Sequence, residues 1–214
     1  MCRLLRGELL ILSGFVAAAT VTVLLVMPTT SSPASAEWTT TPSGPLGPAD
    51  RDFLIRVRQA GLWEMPTGEW AQTRGESRRV REVGAIIMQD HQKLDQATRE
   101  VAARLGVPLP DQPNADQQRW MAQLSAESGA DFDRDFANLL RAAHGKVFAV
   151  VADVRAGTRN DEIRKFAQQA VVVVQKHMTL LESTGLVDYA QLPEPPSPSP
   201  APPAATAVDS RRQP

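Results

Sequence analysis

From Val80 onward the chain places Val80, Gly84, Ile87, His91, Leu94, Thr98, Val101 and Leu105 at steps that alternate between four and three residues without a miss. A helix turning every 3.6 residues shows one face at i, i+3, i+4 and i+7, and a strand, whose faces alternate every second residue, does not. The stripe therefore predicts a helix over about Ser77–Leu105, stopped by Gly106 and Pro108. A helix that is apolar along one stripe must bury it against partners, so the rest of the chain has to supply them.

Three further stripes do so. Phe53, Val57, Ala60, Glu64, Gly68 and Ala71 define a helix over about Asp50–Thr73. Asp133, Ala137, Leu140, His144, Val147 and Val151 lie on one edge of a broad apolar face, predicting a helix over about Ala130–Arg155. Ile163, Ala167, Ala170, Val174, His177, Leu181 and Thr184 again alternate strictly, after an Asn160 cap followed by Asp161 and Glu162 in the first turn. A short extra helix around Asp116–Glu127, with Trp120 and Leu124 inward, fills the connection between the second and third long helices. The valines Val171–Val174 are the one place where a strand can be argued, and the flanking stripe favours helix. The expected fold is all-α, a four-helix bundle made of two hairpins.

Each long helix carries one ionisable side chain on the face it must bury: Glu64, His91, His144 and His177. The chain has only three histidines, and all are on such faces. A stranded ionisable group in an apolar core costs several kcal/mol, so the four are natural partners for one another. At about 1.5 Å per residue, Glu64 lies roughly 17 Å before the turn near Gly75 and His91 roughly 24 Å after it. On the same scale His144 lies roughly 21 Å before the turn near Thr158 and His177 roughly 28 Å after it. All four fall near mid-height of the bundle.

The flanks set compartment and extent. Of 17 prolines, 5 fall in residues 28–48 and 8 in residues 191–214, which leaves residues 49–190 as the one domain able to build a core. Arg3 and Arg6, the apolar run Leu9–Met27 and the Ala34-Ser35-Ala36 pattern read as a leader over residues 1–36. It is either a cleaved signal peptide or a retained anchor that holds the protein to the membrane, and both place the domain outside the cytoplasm. Residues 37–48 are expected as a Pro/Thr/Gly linker, and residues 191–214 as an extended Pro-rich tail. Cys2, in the leader, is the only cysteine, so no disulfide or thiolate chemistry is expected beyond it. A net charge of −1 with no basic stripe argues against a nucleic-acid partner.

Two readings of the polar cluster follow. In the first, Glu64, His91, His144 and His177 ligate one metal ion, a donor set that suits zinc, iron, manganese or copper. The chain has no Glu-x-x-His, the signature of di-iron bundles, so a mononuclear site is expected. Asp133 lies roughly 16 Å along its helix from His144 and cannot share that ion, whereas Asp90 or Asp95 can orient a ligating histidine. In the second reading the four form a buried hydrogen-bonded network, satisfied by Glu64, Asp90 or Asp133, in a non-catalytic envelope module. That module would show an apolar surface patch around Trp63, Trp70 and Trp120. No nucleophile elbow or Gly-rich phosphate loop is present, and nothing names a reaction.

The segments Gly61-Leu62-Trp63-Glu64, Met88-Gln89-Asp90-His91, Phe132-Asp133-Arg134-Asp135-Phe136 followed by His144, and His177-Met178 occur in an order that resembles the DUF4142 family. The resemblance spans about residues 50–187. It implies a ferritin-like antiparallel four-helix bundle, an exported bacterial protein and a metal site, without an assigned activity. It places Glu64, His91, Asp133, His144 and His177 at the family's polar positions. Pro66 departs from the pattern by removing a backbone donor just after Glu64.

Overall fold

The computed structural model describes residues 37–194. Among these the chain forms five α-helices and no strand: α1 (Pro48–Arg74), α2 (Arg78–Leu105), α3 (Ala115–Ala126), α4 (Gly129–Gly157) and α5 (Asp161–Glu182), with a 3-10 turn at Tyr189–Gln191. The leader and most of the tail lie outside the described residues. No helix among the described residues is long and apolar enough to cross a membrane.

Local chemistry sets the helix ends. Pro48 opens α1, where its missing donor is harmless. The Ser77 hydroxyl accepts from the Arg79 and Val80 amides to open α2, and the Asn160 side chain accepts from Glu162 and Ile163, both at 3.1 Å, to open α5. Gly106, at φ +66°, supplies the left-handed residue that closes α2.

Only three residues separate α1 from α2, and three separate α4 from α5. Along the first pair Arg58 meets Asp95, Glu64 meets His91, Gly68 meets Gly84 and Gln72 meets Arg81, so partners descend α2 as they climb α1. Along the second, Arg141 meets Glu182, His144 meets His177 and Arg155 meets Gln168. α1 and α2 approach closely at Gly68 and Gly84: a Cβ on Gly68 would lie 2.6 Å from the Gly84 carbonyl, and one on Gly84 would lie 2.6 Å from the Ala71 Cβ.

The core is split in two. Leu46, Phe53, Leu54, Val101, Val151 and Phe166 belong to one apolar cluster. Trp63, Val80, Ile87, Phe132, Phe136 and Leu181 belong to the other. On α2 the first holds Leu94 and beyond and the second ends at Ile87, so His91 sits at the divide. His144, between Leu140 and Val151, and His177, between Ala170 and Leu181, sit at the same divide.

Residues 37–48 differ from the expected linker. Thr39 and Leu46 exchange backbone hydrogen bonds of 3.0 and 2.8 Å, and Leu46 is fully buried in the first cluster. The Asn160 amide donates to Thr41 Oγ1 and to the Gly44 carbonyl, both at 3.0 Å, and the Asp161 amide donates to the Ser43 carbonyl at 2.7 Å. Gly44, at φ +103°, passes so close to Arg159 that a Cβ would lie 2.5 Å from its carbonyl oxygen. The Pro, Thr and Gly content thus serves a tight turn, held because Leu46 plugs one end of the core and Asn160 caps α5 and grips the turn together.

Candidate metal centre

Glu64 from α1, His91 from α2, His144 from α4 and His177 from α5 each bring one oxygen or nitrogen atom into a group whose members all lie within 4.8 Å of one another. All four expected residues meet. They are 2%, 4%, 1% and 0% exposed, so water satisfies almost none of their polar atoms.

The individual contacts are short. Glu64 Oε2 lies 2.9 Å from His91 Nε2 and 3.3 Å from His144 Nε2. His144 Nε2 lies 3.0 Å from His177 Nδ1. Bonds of about 2.0–2.2 Å from a tetrahedral ion set neighbouring donor atoms about 3.3 Å apart, so the observed spacing fits such an ion.

The outer nitrogens decide which inner ones carry protons. His144 Nδ1–H donates to the Leu140 carbonyl at 2.8 Å, which leaves Nε2 as a lone pair in the neutral ring. His177 Nε2–H donates to Asp90 Oδ2 at 3.2 Å, which likewise leaves Nδ1 bare. Asp90 also accepts from Lys176 Nζ at 2.6 Å. Burial would raise the Asp90 carboxyl, but Lys176 and His177 together hold it below its ordinary value, so it stays an acceptor. Glu64 Oε2 and both ring nitrogens of His91 make no hydrogen bond: their approach is close but off-line.

Charge follows from the same geometry. Burial would raise the Glu64 carboxyl, but the imidazoles of His144, His91 and His177 outweigh it and hold the group at about 2. Burial, then the neighbouring His91 and His144, push His177 down to about 3. Burial likewise lowers His144, against the pull of Glu64. At neutral pH the centre offers the Glu64 carboxylate together with the inner nitrogens of His144 and His177 kept free of protons, which is what a cation needs of its ligands.

The other acidic candidates go elsewhere. Asp133 accepts from the Ser77 amide at 2.6 Å and so anchors the start of α2. Asp95 pairs with Arg58 and with Arg99, the latter at 2.8 Å, while Arg58 also holds the Pro110 carbonyl. Pro66 sits within a continuous α1. Trp63 is fully buried and Trp70 and Trp120 are only packed against the core, so they form no exposed patch. Lys176 was not singled out from the sequence; its signal is its place next to His177, as Asp90 is next to His91.

Fold and site together define an all-helical protein with a buried carboxylate–imidazole cluster at its middle. The family model for a domain of unknown function, DUF4142, matches residues 35–183, and the chain belongs to that family. The match begins before the Thr39–Leu46 turn, so the turn falls within it. No curated protein matches the chain, and no solved structure does.

Proposed function

We propose that the protein is an exported, ferritin-like antiparallel four-helix bundle that holds one metal ion through Glu64, His91, His144 and His177. One observation carries the reading. His144 Nε2 and His177 Nδ1 face each other at 3.0 Å as bare nitrogens, with Glu64 Oε2 3.3 Å from the first. Acceptors crowded together with no proton to share repel one another, and a cation between them relieves that. The donor set suits zinc, iron, manganese or copper. A bound ion would supply positive charge and Lewis acidity. The chain's own residues fix the ligand rings: Leu140 orients His144, and Asp90, held by Lys176, orients His177.

The opposed order of partners along α1–α2 and α4–α5 supports the antiparallel bundle. Export rests on the Arg3/Arg6 start, the apolar run Leu9–Met27 and the Ala34-Ser35-Ala36 pattern. Elemental analysis of residues 37–214 beside a His91→Ala/His177→Ala variant tests the site. Stoichiometric metal in the parent and none in the variant is expected. No metal in either, after reconstitution with all four ions, would leave the cluster as a hydrogen-bonded network that only fixes helix register.

A further inference from the structure

Most approaches to the centre are closed. Along the bundle it lies between the two apolar clusters. Between α2 and α5 the Lys176–Asp90 ion pair, at 2.6 Å, covers His177, which is itself 0% exposed. The α1–α2 and α4–α5 seams run inside the hairpins, where Glu64 faces His91 and His144 faces His177. The seam between α1 and α4 differs. There, under α3, lies a cavity of about 170 Å3 with Ala60, Trp63, Glu64, Ala143 and Val147 in its wall, room for several water molecules. Of the four converging donors, Glu64 alone lines it.

Glu64 thus belongs to both spaces. Its Oε2 faces His91 and His144 yet accepts no hydrogen bond, so turning the carboxylate toward the cavity breaks none. The only other carboxylate in the wall, Asp116, is paired with Arg119. The Gln59 amide lies in the same wall and makes no hydrogen bond among the described residues, which leaves its oxygen free. Of the two cations there, Arg56 pairs with Asp52 at 2.6 Å, whereas Lys146 is exposed and has no carboxylate partner among the described residues. Two positive and two negative side chains cancel, so the wall as a whole carries no net charge. What distinguishes its inner end is an unpaired carboxylate.

We propose that this cavity is the entry vestibule of the metal centre, where Glu64, helped by the Gln59 amide oxygen, takes a divalent cation from solvent and passes it to the three histidines. The inference rests on the metal reading above and adds the side from which the ion arrives. A cation gives up its water only where other donors replace it. Carboxylate and amide oxygens suit an ion that is still partly hydrated, and imidazoles then replace its remaining water. Lys146, near the mouth, opposes the arriving charge and so sets the rate without touching the ligands.

Stopped-flow uptake of Co2+ by metal-free residues 37–214, followed by the cobalt absorption bands, tests it beside chelator-driven release. Val147→Phe fills the cavity and should slow uptake and release alike by about tenfold, because a blocked route raises the barrier in both directions. Equilibrium affinity and the cobalt bands should then stay as in the parent. Lys146→Glu should speed uptake by about tenfold at low salt, an effect that high salt removes. Val172→Glu sets the same new charge on the outer face of α5, at a residue 57% exposed and outside the cavity, and should leave the rate unchanged. Lys146 is exposed, so its variant reports on entry even if Val147→Phe fails to fold. Cobalt uptake as fast in Val147→Phe as in the parent, or Val172→Glu speeding it as much as Lys146→Glu, would overturn the route and leave the centre standing. No cobalt bound by the parent would overturn both.

Discussion

His144 and His177 meet nitrogen to nitrogen, Nε2 to Nδ1, at 3.0 Å, and the far nitrogen of each ring is already committed, to the Leu140 carbonyl and to Asp90. Neither ring can rotate to relieve the encounter without giving up that outer bond. The helices thus hold two electron pairs against each other beside a buried carboxylate.

Replacing Glu64 by Gln keeps the volume and removes the only negative charge among the four donors. Metal affinity should fall more than about 100-fold, beyond what losing an outer partner costs. Competition with a chromophoric chelator measures this, and an unchanged affinity would remove Glu64 from the ligand set.

Asp90→Asn should act through His177, because Asp90 touches that ring and Lys176 but is not among the four converging donors. Affinity should fall by about 10–100-fold. The melting temperature of the metal-free protein should move much less than that of the loaded one. Equal shifts in both forms would make Asp90 a purely structural partner.

Acid should weaken the metal-free protein. His177 is held at about 3 against an ordinary 6.5, and Glu64 at about 2 against 4.5. In both cases the unfolded chain takes up the proton first. Stability is therefore intact above about pH 6.5, is lost through His177 as pH falls from there toward 3, and through Glu64 as it falls from 4.5 toward 2. Calorimetry across pH 7 to 3 should show a steadily falling melting temperature, with a shallower slope above pH 4.5 in His177→Gln. A flat profile between pH 6.5 and 4.5 would contradict the assignment.

Gly84→Ala should cost about 1–3 kcal/mol by overpacking, since the added carbon would meet Ala71 at 2.6 Å and force α1 and α2 apart. Urea denaturation gives the loss. Because Glu64 and His91 lie on this helix pair, metal affinity should fall with it.

Asn160→Ala removes a helix cap, for which about 0.5–2 kcal/mol is usual, and also releases the Thr41 and Gly44 contacts. Hydrogen exchange at the Leu46 amide, which donates to Thr39, should rise sharply. An unchanged rate would show that Leu46 alone holds the turn.

Much of this was legible because helices impose a strict period. The stripes place α1, α2, α4 and α5 within a few residues of their ends, and an ionisable group breaking an apolar stripe marks itself as a residue that needs a partner. What escaped has no period. Leu46 is a single apolar residue among prolines and glycines, and only the end of the core explains it. Gly68 and Gly84 occupy stripe positions like any small residue, and nothing in spacing shows that two backbones approach there. Asp95 and Asp133 are the same residue type as Asp90, yet their partners, Arg58 and the Ser77 amide, depend on side-chain reach that helical phase alone does not resolve.

The pairing of the long helices into two hairpins has a consequence for how the molecule comes together. The α1–α2 hairpin brings Glu64 and His91, and the α4–α5 hairpin brings His144 and His177. Each half therefore owns two of the four donors, too few to retain an ion in competition with water. An ion at the centre would belong to neither half but to their union, a clasp that shuts only after both hairpins have found each other. Occupancy would then report completed assembly, and a chain that had folded one half alone would stay unloaded.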